Sequence, residues 1–250
     1  MDPSGFLLID KPAHMTSHDV VDALRRLTGV RRIGHAGTLD PFATGLLIVG
    51  VGKDATTRLS SIVGLDKTYE ATFILGATST TDDPEGVVTI SPLLPLALPL
   101  PEGEGVGVGV VALTEAMQSF LGEVQQIPPQ YAAIKINGKK MYELAREGKV
   151  IDAKPRRVRI DAFMMTQPPV STSDGQTTLQ VRIHCGSGTY IRALARDLGA
   201  KLGVGGYVNQ LRRTSIGQYD VNNATTLDAL QREDWSKSLT NLALDQKGKE

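Results

Sequence analysis

GHAGTLDPFATG, residues 34–45, runs straight into the apolar stretch LLIV at 46–49. It combines glycines, a histidine, a proline and one acid. A phosphate-cradling Walker loop needs G-x-x-x-x-G-K-[ST]. Gly52 and Lys53 are present, but position 47 is leucine and position 54 is aspartate, so that pattern fails twice. What remains is Asp40, the only acid between Asp22 and Asp54. Glycine-rich backbone on its N-terminal side permits close approach of a ligand. Pro41 biases Asp40 towards extended geometry and stiffens the turn. A carboxylate held this way serves as a nucleophile or base. An Asp-Pro turn that merely starts a helix fits the same residues. The LLIV run anchors the loop in the core.

Length, cysteine usage and charge bound the rest. The chain has 250 residues, room for one large domain or one domain with a small appendage. That length buries a substantial core. The single cysteine, Cys185, leaves no intramolecular disulfide framework and fits a reducing compartment. No cationic segment leads into a signal-peptide core. No apolar run approaches the ~18 residues of a membrane span. A cytoplasmic protein without membrane attachment is expected. Formal net charge is zero, yet the charges are segregated. Residues 61–129 carry one base and nine acids, a net of −8, whereas 130–160 carry nine bases and three acids, a net of +6. A clustered basic segment can grip phosphates inside a neutral protein, or simply form a solvated lysine face.

Periodicity organises the chain. FLLI at 6–9 reads as a short buried strand. Ser17 is placed to cap a helix with Val20, Val21, Leu24 and Leu27 on one face, closed by Arg25, Arg26 and Gly29. Residues 67–75 alternate, with Tyr69, Ala71, Phe73 and Leu75 on one face of a strand. Prolines and glycines at 91–111 predict a flexible surface insertion. Thr114 is expected to cap a helix carrying Met117, Phe120 and Leu121, ended by Gly122. A basic helical piece is expected at 141–146, with strands at 157–160 and 179–183. Thr189 would open a helix striped with Ile191, Leu194, Leu198 and Leu202. QLRR at 210–213 reads as a short element near a site. The expected architecture is an α/β chain of the α+β type, with a mixed, largely antiparallel sheet flanked by helices and loops.

Other chemistry finds little support. His14 and His18 are spaced i, i+4, but no H-E-x-x-H acid accompanies them, so no metal is expected. His184 and Cys185 are adjacent in a strand and point to opposite faces. Nothing supplies Cys185 with a base or a depressed pKa, so it reads as core.

The longer string changes the reading of Asp40. GHAGTLDPFATGLL, residues 34–47, closely resembles the catalytic motif of the TruB family of tRNA pseudouridine synthases. IDKPAHMTS (9–17) is similar to that family's Lys-Pro motif, and KTYEA (67–71) to its tyrosine motif. IPPQYAAIKINGKKMYELAR (127–146) resembles its RNA-clasping segment, GTYIR (188–192) its arginine motif and LRR (211–213) its late leucine motif. The ordered motifs run from residue 5 to about 217.

This resemblance implies a pseudouridine-synthase fold, and isomerisation of uridine to pseudouridine at position 55 of the tRNA T-loop. The alternatives are a non-catalytic RNA-binding or tRNA-folding protein and a guide-RNA-dependent synthase. Asp40 would be the catalytic aspartate. It would attack the ribose, attack the base or abstract a proton. The uridine must leave its stack to react. Tyr69 would offer it a stacking face; without the resemblance it would read as core. Arg192 would pair with Asp40 and keep it ionised. His35 would lie near the flipped base, and Tyr190 and Leu211 would line the uracil pocket. Lys11 and Pro12 would brace the site. Lys135, Lys139, Lys140 and Arg146 would hold RNA phosphates, which position without reading sequence. No cofactor, no metal and no obligate protein partner is implied; a monomer acting on the tRNA T-arm is expected. Residues 1–226 would form the catalytic domain, with the 91–111 insertion and the 128–157 clasp. Residues 227–250 would be a helix and tail, too short for a complete PUA domain. Two departures stand out. Position 14 is His where the family usually has Gly, and a positive φ there would suit His poorly. Position 132 is Ala where the family usually has Ser.

Overall fold

The run LLIV forms the middle of a strand buried on both faces. Leu47 and Val49 pack with Leu7, Ile9, Val20, Val21 and Leu24; Leu46 and Ile48 pack with Phe6, Ala55 and Ile62. A strand covered by a helix on each face has no polar alternate positions, so it reads as a continuous apolar run. Burying each such side chain contributes about 1.5–3 kcal/mol before entropy is counted.

The computed structural model describes residues 4–91, 109–132, 135–136, 139–140, 153–172 and 175–242. Its elements are β1 (Gly5–Lys11), α1 (Ser17–Thr28), β2 (Ile33–Ala36), β3 (Thr44–Val51), α2 (Gly52–Val63), β4 (Lys67–Leu75), β5 (Ala77–Ser79), β6 (Val88–Ile90), α3 (Val110–Gln118), β7 (Gly122–Gln126), β8 (Lys135–Ile136), β9 (Lys139–Lys140), β10 (Arg156–Met165), β11 (Val170–Ser171), β12 (Thr177–Cys185), α4 (Ile191–Lys201), β13 (Gly206–Ile216), β14 (Tyr219–Asp220) and α5 (Leu227–Arg232). Among the described residues, no helix is long and apolar enough to cross a membrane. The chain forms two compact units, residues 1–69 with 211–250, and residues 70–210. It passes between them inside β4 and again inside β13. The expected helix at 141–146 and most of the expected insertion, 92–108, lie outside the described residues.

In the first unit β3 is central. β1 runs antiparallel along one edge, from Gly5 opposite Val51 to Lys11 opposite Gly45. The other edge is shared. β2 pairs antiparallel with Ile48–Val51, and β13 pairs in parallel with Thr44 and Gly45. Loop 37–43, which carries Asp40, joins β2 to β3 where β13 takes over. Gly45 permits this junction. Its φ is +102°, and a Cβ there would lie 2.3 Å from the Arg213 carbonyl oxygen.

Helix α1 begins one residue differently from expectation. Thr16 is its cap, with Asp19 N donating to Thr16 Oγ1 at 3.0 Å and Thr16 N donating to Asp19 Oδ2 at 2.8 Å. This reciprocal pair satisfies the helix start without Ser17. The expected stop holds, with Gly29 at φ 72° after Arg25 and Arg26. Helix α2 has no counterpart in the sequence-based expectation. Its signal was the stripe Ala55, Leu59 and Ile62, at helical spacing.

His14 stands at φ 62°, and its N–H donates to Pro41 O at 2.8 Å. A β-carbon in this left-handed region costs about 1–2 kcal/mol, partly offset for glycine by chain entropy. His14→Gly is expected to stabilise the protein by about 0.5–1 kcal/mol in chemical denaturation.

In the second unit the strand order is β4-β12-β10-β7, with β10 antiparallel to both β12 and β7. The expected alternation of 67–75 holds, with Tyr69, Ala71, Phe73 and Leu75 all buried. The strands expected at 157–160 and 179–183 lie within β10 and β12. Three expectations need correction. Helix α3 starts four residues before Thr114, whose hydroxyl instead donates back to Val110 O at 2.7 Å; it ends at Gln118, leaving Phe120 and Leu121 beyond it. Thr189 does not open α4, because its hydroxyl donates to Gly186 O at 2.9 Å and Tyr190 takes the cap position. QLRR is no short element, since its residues alternate inside the eleven-residue strand β13.

Candidate active site

Asp40 sits at the tip of the β2–β3 hairpin, and its neighbours are held individually. Ser17, buried and released from capping, accepts from Leu39 N at 2.8 Å and donates to Leu39 O at 3.2 Å. Pro41 O accepts from His14 N at 2.8 Å and from Lys11 Nζ at 3.2 Å. Lys11 is fully buried; its Nζ also donates to Pro12 O at 2.8 Å and Met15 O at 2.7 Å. The ammonium thus ties the Lys-Pro turn to the Asp40 loop. Ala43 N donates to Asp40 O at 3.2 Å, closing a tight turn after Pro41. The carboxylate is therefore presented on backbone with little freedom.

Two glycines of the hairpin also lie against neighbouring elements. The sequence reading gave their open space to a ligand. At Gly34 part of that space is taken up by protein. A Cβ on Gly34 would meet Leu59 at 3.0 Å, and one on Gly37 would meet Arg213 Nη1 at 3.6 Å. Close packing of α2 and β13 around the hairpin uses the space.

His35 is half-buried on β2, opposite Val49. Its Nδ1 is buried with no hydrogen-bond partner among the described residues. Burial, then the positive charge of Arg213 and then that of His18, push its pKa below the ordinary histidine value. The sign follows from linkage. The folded state resists protonation, so this contribution is complete above about pH 6.5 and is lost as pH falls below it. Wild type is expected to lose more thermal stability between pH 7.5 and 5.5 than His35→Asn. Equal losses in parallel melts would remove His35 as the cause.

Tyr69 is buried at 8% exposure and Leu211 at 7%. Both belong to the first unit with Asp40, His35, Lys11 and Pro12. Tyr190 and Arg192 belong to the second. The backbone of Tyr190 is gripped by the buried amide of Gln126, which accepts from Tyr190 N at 2.8 Å and donates to Tyr190 O at 3.1 Å. Arg192 is 4% exposed. Its Nη1 donates to Asp83 Oδ2 at 2.9 Å and to Thr81 O at 3.1 Å, and its Nη2 donates to Tyr131 O at 3.3 Å. Asp83 also accepts from Glu85 N at 3.0 Å, so the acid closes its own turn while holding the arginine. One helical turn on, Arg196 pairs with Asp82 at 3.0 Å. Burial raises the Asp82 carboxyl pKa despite that partner. Asp83 and Gln126 have no counterpart among the expected site residues, and Ser17 holds Leu39 where a helix cap is expected. Asp83 carried a weak signal, an Asp-Asp-Pro turn following a strand, and Ser17 closes the 9–17 motif.

Lys135 stands opposite Lys140 across the β8–β9 pair, with Ile136 opposite Lys139. Arg146 lies outside the described residues.

Likeness to solved structures concerns the fold. The fold matches a chain in the structure of an H/ACA RNP bound to a substrate RNA containing 2'-deoxyuridine, with a TM-score of 0.64 at 22% identity over 95% of this chain and 58% of that one. A chain of a Cbf5-Nop10-Gar1 complex matches at TM-score 0.65 and 23% identity, over 95% and 60%. This chain thus spans less than two thirds of those solved chains, and it shares their fold. The family follows from sequence. Residues 25–191 match the model of the TruB family pseudouridylate synthase N-terminal domain, and residues 192–246 that of the tRNA pseudouridylate synthase B C-terminal domain. The chain is 47% identical over 230 residues to tRNA pseudouridine synthase B of Mycobacterium sp. (strain KMS), covering 92% of this chain and 72% of that protein. It is 46% identical over 231 residues to that of Thermobifida fusca (strain YX), covering 92% and 75%. The chain belongs to the TruB family of pseudouridylate synthases.

Proposed function

We propose that this protein isomerises uridine to pseudouridine in the T-loop of tRNA, with Asp40 as the catalytic carboxylate. The observation that carries this reading is the Asp40 loop itself. A single acid is presented between residues whose backbone groups are all tied down, inside the motif that marks the family. Such preorganisation is what a reaction at one carbon–nitrogen bond requires.

The reaction breaks the bond between ribose C1′ and uracil N1 and forms one between C1′ and C5. The proton leaving C5 is balanced by one taken up at N1, so no oxidant or cofactor enters. Asp40 starts the sequence by acting on the bound uridine. Tyr69 offers a stacking face, a contact worth about 1–3 kcal/mol per base. His35, kept neutral by burial, attends the flipped base. Leu211 and Tyr190 contribute apolar wall, and Arg192 serves the same uridine as the cation that keeps Asp40 ionised. Lys135, Lys139, Lys140 and Arg146 contact phosphates, which position the RNA without reading its sequence. Residues 1–226 carry the activity, and a monomer works on cytoplasmic tRNA. The test is direct. Purified protein is incubated with an unmodified tRNA transcript and pseudouridine is mapped by position. Product confined to the T-loop supports the reading; product elsewhere, or none, refutes it.

A further inference from the structure

Arg213 is 1% exposed and among the largest side chains taken fully out of solvent. No carboxylate lies within ion-pair distance of it among the described residues. Its neighbour Arg212 shows the ordinary arrangement. Arg212 is only partly buried and forms a two-pronged pair with Asp10, at 2.9 and 2.8 Å. Burying a guanidinium without an acid costs several kcal/mol. A leucine or methionine would fill the same volume without that cost. Something other than packing accounts for an arginine here.

Its hydrogen bonds indicate what. Nε donates to Leu46 O at 2.8 Å and Nη2 to Gly37 O at 3.0 Å. Those carbonyls stand at either end of the hairpin loop that carries Asp40. Ser17 holds Leu39 and Lys11 holds Pro41, so the loop is restrained at 37, 39, 41 and 46. Gly45, with its positive φ, brings the Arg213 backbone against β3 at the required distance. The planar fork spans two acceptors in a fixed geometry that a lysine ammonium cannot reproduce.

We propose that Arg213 is a positioning residue of the reaction: its buried guanidinium fixes both ends of the Asp40 loop and thereby sets the direction of the Asp40 carboxylate. This rests on reading Asp40 as the catalytic acid. Arg213 touches no substrate; it acts through the loop.

The test compares wild type with Arg213→Lys, which keeps the charge and loses the fork, and with Arg213→Gln as a neutral donor. Four quantities are read: single-turnover pseudouridine formation on a tRNA transcript, tRNA Kd, the thermal melt, and amide exchange at Leu39. Arg213→Lys is expected to melt cooperatively and to hold tRNA within about threefold of the wild-type Kd. Its single-turnover rate is expected to fall about 100-fold, the cost of a catalytic group displaced by about 1 Å. Leu39 exchange is expected to speed up more than exchange in β10 and β12. An unchanged rate overturns the proposal. So does a loss of rate, affinity and global stability together, or the failure of both variants to melt cooperatively, since any of these makes Arg213 a general fold element. Wild type that makes no pseudouridine refutes the assigned reaction instead. Selective Leu39 exchange in Arg213→Lys would then leave the loop-holding role standing.

Discussion

Asp40→Asn is expected to reduce pseudouridine formation by at least about 10³–10⁴-fold while leaving the fold and tRNA affinity near wild type. The substitution is isosteric. The restraints on the loop act on backbone atoms of Leu39 and Pro41, not on the Asp40 side chain, so the hairpin geometry survives. What disappears is the negative charge and the basic, nucleophilic oxygen. An amide can do neither job, whichever atom of the uridine is engaged. Single-turnover kinetics and filter binding on one tRNA transcript separate the two quantities. A variant that retained wild-type turnover would remove Asp40 from the mechanism. A variant that lost tRNA binding in proportion to rate would make Asp40 a recognition residue.

Asp83→Asn is expected to destabilise the protein by about 3–5 kcal/mol, because it breaks a buried ion pair by removing one of its two partners. For a chain of this size that corresponds to a fall in Tm of roughly 6–20 °C. Both side chains are almost wholly buried, 4% and 3% exposed, so solvent cannot replace the lost charge. Contrast the exposed Arg157–Glu123 pair at 3.1 Å, with side chains 69% and 64% exposed. Such a pair is worth about 0–1 kcal/mol, and Glu123→Gln should barely move the melt. Activity should fall with Asp83→Asn as well, since Arg192 loses the partner that sets its orientation. The outcome that counts against this reading is a Tm shift no larger than that of Glu123→Gln.

The strands were the most legible part of the sequence. Residues 67–75 alternate because one face is buried, and the continuous run 46–49 is apolar because both are. Helix ends were less legible, for a physical reason. Thr16 and Ser17 are both good caps, and local sequence does not choose between them. The choice is made by Leu39, which needs the Ser17 hydroxyl for both its backbone groups. Thr189 and Thr114 depart from expectation for the same kind of reason, each satisfying its hydroxyl on a nearby carbonyl instead of a helix start. Gly45 is required by the close approach of the Arg213 backbone, a contact 168 residues away along the chain that leaves no local signal.

By itself, then, the sequence determined a mixed α/β chain, a rigid loop presenting one acid, and, through ordered motifs, the TruB family. Those signals are local: a period of two or 3.6, a proline beside an aspartate, a contiguous string. Only the tertiary structure decided how that acid is held. Arg213 reaches Gly37 across 176 residues, and Arg192 reaches Asp83 across 109. Neither pairing leaves a pattern in the intervening chain. A buried cation must find its acceptors wherever the fold brings them, and here that means β13 laid against β3 at a glycine.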